Sequence, residues 1–482
     1  MRICIIGAGL SGLITARVLR QRTHDVAVFE KTAAIGGVWN PVSRYVGLRT
    51  QSPRDCYAFS DFPMPRDYPE FPSGEQVHRY LSAYAQHHDL ESHIRLNTAV
   101  TAITRQGQQW QVHFRASNGA ENAESFDFVV CCNGVFSEPT MPTLLGRAEF
   151  EARGGQVLHS SQARDIDALR GRQVVVVGFG KSALDIAEAA LPVARSTTIV
   201  CRRTLWKVPR YLPGKLNAKH IILSRFAELW LPHYGMQGFR RFLHQRLSKL
   251  VDIYWRLSER TMGRVLGLSR PDLRPEVPLR RSAGNCFGLA PSDNFRALRE
   301  GRIGLVKGRL AEFDGHGLVL DDGRCVPAQT IVFATGFKLD CGFLEPTQRT
   351  ALFDGHGVPQ LYRFLVCPDI PALAFNGYNG GGVSQLMAEI GARWIAEMLA
   401  GTLKLPDVPQ MRAQIDRDLA QWRAAVGTER GLGFYASPFS FAYLDQLLAD
   451  MGKPPADSGK SLLRRYFTAV DPADYAEKPL SH

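Results

Sequence analysis

Two stretches of this chain repeat one pattern: a buried-strand run, a glycine-rich turn, and an apolar helix. The first is Arg2-Ile3-Cys4-Ile5-Ile6, followed at once by Gly7-Ala8-Gly9-Leu10-Ser11-Gly12. The G-x-G-x-x-G spacing gives each glycine a task. Gly7 permits the tight turn, Gly9 lets a pyrophosphate approach the backbone, and Gly12 lets helix and strand pack closely. The free N–H groups of the helix start, with Ser11 among its first residues, then face the phosphates. A second strand, Asp25 to Phe29, ends at Glu30, eighteen residues past Gly12, with Lys31 beside it. An acid there can accept hydrogen bonds from a ribose hydroxyl pair, so the whole unit predicts dinucleotide binding.

The second copy begins at Gln173-Val174-Val175-Val176-Val177 and turns at Gly178-Phe179-Gly180-Lys181-Ser182-Ala183, with Ala183 in the third glycine's place. Its next strand, Thr197 to Cys201, ends in Arg202-Arg203 instead of an acid. Guanidinium groups bind a 2′-phosphate through charge-assisted bonds where a carboxylate would repel it. This site is therefore expected to prefer NADPH to NADH. Two dinucleotide folds in one chain imply a flavin, FAD, reduced by a nicotinamide. The nine cysteines contain no C-x-x-C pair, and the adjacent Cys131 and Cys132 read as buried strand residues. Dioxygen becomes the expected electron acceptor, and no metal site is expected.

Length excludes a single small module: 482 residues make about three domain-sized units. With 45% hydrophobic and 22% charged residues the composition is that of a globular protein, no apolar run is long enough to span a membrane, and the chain reads as intracellular, most simply cytoplasmic. A net charge of +12 raises the question of nucleic acid, but fourteen Lys/Arg against five Asp/Glu fall between Lys215 and Arg281, in no nucleic-acid motif. There, Phe226, Trp230, Leu243, Leu250, Tyr254 and Leu257 recur at helical steps among the basic residues. Two readings stay open: a surface subdomain packed on the protein, or a peripheral contact with a membrane or partner.

Further motifs carry a family resemblance. Ile35-Gly36-Gly37-Val38-Trp39, Phe59-Ser60-Asp61-Phe62-Pro63-Met64-Pro65, Asn133-Gly134, the stretch from Gly178 to Asp185, Arg202 to Pro209, and Phe333-Ala334-Thr335-Gly336-Phe337 stand in order along the chain. In order and spacing they resemble the class B flavin-containing monooxygenases, in particular the plant-type branch. The resemblance implies that Gly37, Val38 and Trp39 lie over the flavin and that Thr335 lies in a cofactor-contacting motif. It also implies that Gln51, where the family commonly has Asn, offers its amide near flavin and nicotinamide as the catalytic side chain. The implied activity is transfer of one oxygen atom from O2, by an adduct at flavin C4a, to a small-molecule nucleophile at nitrogen or sulfur.

The departures keep alternatives open. The family linker F-x-G-x-x-x-H-x-x-x-[YF]-[KR] retains Gly155, His159 and Arg164 but has Arg153 and Ala163 at its aromatic positions. The Trp-Pro ending of its Baeyer–Villiger variant is absent. Baeyer–Villiger oxygenation of a carbonyl, peroxide release by an uncoupled NADPH oxidase, and a non-catalytic nucleotide sensor remain as other readings. By resemblance His159 is structural. The expected fold is α/β, two nested Rossmann-like domains: FAD-binding over 1–165 and 326–482, NADPH-binding over 166–325, with a basic helical insertion at about 212–284. A strand over Ile370 to Phe375 is expected to feed a glycine loop and a helix from about Ser384 to Ala400, which either faces the flavin or simply closes a core.

Overall fold

The computed structural model describes every residue except 232–235, 237, 283–287, 291–292, 427–439 and 478–482, so parts of the expected insertion lie outside the described residues. Ile3 to Ile6 and Val174 to Val177 are buried throughout, as strands covered on both faces must be. Each such Val or Ile contributes about 1.5–3 kcal/mol by its removal from water. The two runs form the central strands of two five-stranded parallel sheets.

The first sheet runs, edge to edge, Ile94–Arg95, Asp25–Phe29, Arg2–Ile6, Phe128–Cys131, Leu373–Phe375. The second runs Ile303–Lys307, Ser196–Cys201, Gln173–Val177, Thr330–Phe333, Gln156–His159. The plan is the same in both. In each, a three-stranded antiparallel meander leads into the fourth strand: Ala99–Gln106, Gln109–Arg115 and Glu121–Phe126 in the first, Leu310–Asp314, Gly317–Leu320 and Cys325–Pro327 in the second.

The ladders move the domain limits. Boundaries at 165 and 326 leave Gln156–His159 and Thr330–Phe333 with the first domain, yet both strands pair in the second sheet. The chain crosses between domains where Glu138–Pro139 pairs antiparallel with Phe337–Lys338. The early edge strand has only Val157 and Leu158 as apolar residues, too short a run to announce itself, and only pairing with Thr330–Phe333 makes it a strand.

Behind the first sheet, the Ser384–Leu399 helix packs on the Leu10–Gln21 helix and ends before Gly401, whose φ of +74° suits a helix exit. Asn376 fixes this pair: its Nδ2 donates to Thr15 Oγ1 at 2.9 Å and to the Ala388 carbonyl at 2.8 Å. The insertion forms the helices Arg225–Leu229, Gly238–Arg246 and Ser248–Leu266. Leu243, Val251 and Trp255 are buried, and Trp230 stacks on Tyr254 with centroids 4.0 Å apart. Among the described residues, no helix is long and apolar enough to cross a membrane.

Candidate functional site

The first cradle forms where Arg2–Ile6 ends. Gly7 takes φ +104°, and a Cβ there would lie 2.6 Å from the Cys132 carbonyl oxygen. A Cβ on Gly12 would fall 1.9 Å from the Gly7 oxygen, so only glycine fits. Gly9 is the N-cap of the Leu10–Gln21 helix and no side chain caps it, which leaves the first-turn N–H groups for an anion. Gly37 approaches Gly9 across the loop; its Cβ would meet Gly9 Cα at 3.1 Å. Ser11 lies against Gly377 of the later glycine loop.

Glu30 is buried at the end of its strand. Its Oε2 accepts from Ala8 N at 2.9 Å, and its Oε1 accepts from Thr32 N at 2.9 Å and Thr32 Oγ1 at 2.7 Å. A carboxylate accepts about four hydrogen bonds, so Oε2 keeps capacity for a ribose hydroxyl. Trp39 is buried, with Nε1 donating to Tyr57 OH at 3.1 Å, whereas Val38 and Lys31 are exposed at the rim. These residues fit an adenine dinucleotide, with glycine backbone where phosphates approach and an acid where a ribose would lie.

The second cradle repeats the geometry. Gly178 has φ +125°, with its Cβ position 2.6 Å from the Ala334 oxygen, as Gly7 has to Cys132. Gly180 caps the Lys181–Ala190 helix without any side-chain bond and has open space around its Cβ position. Arg202 is exposed at the end of Ser196–Cys201, with Arg203 half-buried beside it. Lys181 is differently used: its Nζ donates to Asp185 one turn on, and Tyr45 OH of the first domain donates to the same carboxylate at 3.1 Å. Burial pushes the Asp185 carboxyl up and the Lys181 ammonium down. Ser182 bonds to Tyr45. The sequence motif reaches Asp185, but nothing in it signalled the Tyr45 partner.

Gln51 lies at the seam. Its Oε1 accepts from Leu289 N at 3.2 Å in the second domain, while Ser52 Oγ donates to the Gly382 carbonyl at 2.8 Å in the first. The Gln51 amide nitrogen has no partner among the described residues and is free to donate. Pro53, Phe71, Arg210, Ile222 and Leu289 close around it, with too little space between them for a water molecule. Thr335 Oγ1 donates to the Thr140 carbonyl, and Thr140 N returns a bond to Gly336 O at 2.9 Å, so this motif locks the crossing ribbon.

His159 has no free nitrogen. Its Nε2 donates to Gly336 O at 3.0 Å, and its Nδ1 accepts from Ser161 N at 3.2 Å. Burial lowers its pKa, which favours this neutral tautomer. Ala163, at the linker's aromatic position, is buried in the second core, and its carbonyl accepts from Val46 N. Cys131 and Cys132 are buried with their thiols pushed up, Cys132 to about 12, and neither is an accessible redox group.

Two glycine cradles on one chain, on domains joined by the Gln51–Leu289 and Tyr45–Asp185 bonds, define a two-dinucleotide oxidoreductase architecture. Residues 1–456 match the model of the flavin-binding monooxygenase-like family, and the chain belongs to it; it is a flavin-dependent monooxygenase. It is 29% identical to a probable flavin-containing monooxygenase 1 of Arabidopsis thaliana over 98% of this chain and 96% of that one. It is also 29% identical to a 4-hydroxybenzoate brominase (decarboxylating) of Marinomonas mediterranea, over 87% of this chain and 78% of the other. Among solved structures, a cyclohexanone monooxygenase with cyclohexanone bound superposes with a TM-score of 0.71 at 18% identity, covering 94% of this chain and 98% of that one. The S-allyl-L-cysteine S-oxygenase of Allium sativum gives 0.64 at 21% identity, covering 94% and 89%.

Proposed function

We propose that the first cradle holds FAD, the second holds NADPH, and the protein places one atom of O2 on a soft nucleophile, an amine nitrogen or a sulfur. The observation that carries this reading is the pair of uncapped helix N-termini, at Gly9 and Gly180, on domains that meet at Gln51. When bound, FAD supplies the redox chemistry, taking hydride from NADPH and activating dioxygen. The chain supplies the rest. First-turn amides and glycine backbone bind the two pyrophosphates, Glu30 accepts from a ribose, Trp39 walls the first site, and Arg202 with Arg203 meets a 2′-phosphate. The Gln51 amide donates at the seam. His159, with both nitrogens committed, moves no proton and holds the linker against Gly336.

The missing Trp-Pro ending of the linker favours nitrogen or sulfur over a carbonyl substrate. Incubation with NADPH, O2 and a panel of thioethers, amines and cyclic ketones tests this. Sulfoxide or N-oxide products are expected, and lactone as the main product overturns the assignment. The exposure of the Gln51 side chain to solvent favours a second reading, uncoupled NADPH oxidation with peroxide release. The ratio of hydrogen peroxide to NADPH consumed separates the two. We place the protein in the cytoplasm, with the basic insertion as its contact with a membrane surface.

A further inference from the structure

The Ser248–Leu266 helix carries apolar side chains on two sides. Val251 and Trp255 are buried against the protein. Leu250, Ile253 and Leu257, at steps of three and four, stand 45, 49 and 54% exposed on the opposite side. Phe239 and Phe242 of the preceding helix are likewise exposed. A helix that needs only to pack on its own protein has no use for this second apolar stripe.

The charges around the stripe are of one sign. Arg246, Lys249, Arg256, Arg260 and Arg264 are exposed and have no carboxylate partner among the described residues. Both acids of the helix are taken: Asp252 pairs with Arg280 at 2.5 Å, and Glu259 accepts from Leu279 N at 3.2 Å and faces Arg274 at 3.9 Å. The Leu462–Phe467 helix adjoins this region, since Phe467 packs on Phe226 and Phe226 on Tyr254, with centroids 5.2 and 5.9 Å apart. It adds the exposed Leu462 and Leu463.

We propose that this outward face docks on a bilayer containing anionic lipid, with Phe239, Phe242, Leu250, Ile253 and Leu257 entering the headgroup boundary and the free cations meeting lipid phosphates. Exposed large apolar groups ringed by Lys and Arg are the composition of a helix lying in the plane of an interface. A second copy of the chain would bring the same positive charge to the same face and be repelled, so charge favours the lipid. The proposal rests on reading the insertion as the membrane contact and is independent of the oxygenation chemistry.

The test is co-sedimentation of the full-length protein with vesicles of phosphatidylcholine alone or with phosphatidylserine, with NADPH oxidation followed in the same samples. Binding is expected only with phosphatidylserine and is expected to weaken with salt. The Leu250→Ser/Leu257→Ser variant lowers the partition coefficient about tenfold. Lys249→Gln/Arg256→Gln/Arg260→Gln lowers it about 100-fold, roughly fivefold per charge. Neither variant changes NADPH oxidation or the melting temperature. No binding at low salt, or equal binding by parent and both variants, overturns the proposal. So does light scattering that shows a dimer which Leu250→Ser/Leu257→Ser splits into monomers. Loss of oxygenation with vesicle binding intact would strike the proposed chemistry and leave the docking face standing.

Discussion

At the scale of single residues, similar sequence signals lead to different work. Arg202 and Arg203 stand where a 2′-phosphate would be met, and replacing both by Ala is expected to raise the KM for NADPH about 10- to 100-fold while the KM for NADH changes little. Steady-state kinetics with both coenzymes check this, and equal effects would remove the assignment. Lys181, from the same fingerprint, is held by Asp185 one helical turn on, and the third partner, Tyr45, which no spacing rule reveals, comes from the other domain. Two kinds of buried titratable group act in opposite directions. Burial raises the Glu228 carboxyl to about 7 even though it accepts from Phe441 N and Ala442 N, at 2.6 and 3.1 Å. A raised folded-state value contributes stability below the ordinary 4.5, lost as pH rises through about 7. His159, lowered from 6.5, contributes stability above 6.5 that is lost as pH falls below it. The melting temperature of Glu228→Gln relative to the parent should therefore climb from about pH 5 to about pH 8; a difference that does not move with pH counts against Glu228.

Among elements, the two strand–glycine–helix units were fully legible, since the first glycine of each turn, Gly7 and Gly178, takes a positive φ and leaves no room for a Cβ. Gly12 and Gly180 separate the reasons a glycine is used. A Cβ on Gly12 collides with the Gly7 carbonyl, so Gly12→Ala should give little soluble, flavin-bearing protein. Gly180 has an extended backbone, φ −76° and ψ −176°, and empty space beside it. Gly180→Ala should fold with stability within about 0.5 kcal/mol of the parent yet raise the KM for NADPH about tenfold, because the methyl group occupies the pyrophosphate's approach. Thermal melts and kinetics read the two effects separately. The helix at Ser384–Leu399 was also legible from its flanking glycines, whereas the Gln156–His159 strand was not: two apolar residues carry too little periodicity, and its partner lies far along the chain.

For the whole molecule, distant segments are tied by ion pairs that no local pattern announces. Arg225 of the insertion bonds to Asp445 at 2.5 Å and to Asp457 at 2.6 Å, all three largely buried, and the two carboxylates raise the arginine's pKa. Arg225→Ala takes the cation from Asp445 and leaves Asp457 to Arg465, 3.3 Å away, and should cost about 3 kcal/mol, seen as a lower melting temperature and faster proteolysis within the insertion. Unchanged protease resistance would mean that apolar packing alone seats it. The same distinction divides what each level of description decides. The sequence by itself determined two dinucleotide units and the family, and supplied the expected coenzyme preference, because glycine spacing and strand-end charges act within about thirty residues. Only the tertiary structure decided where the domains part, that His159 is fully bonded, that Gln51 reaches Leu289, and which apolar face of the insertion is left to solvent. Each of these depends on which remote backbone comes within hydrogen-bonding or packing distance, and chain periodicity carries no record of that.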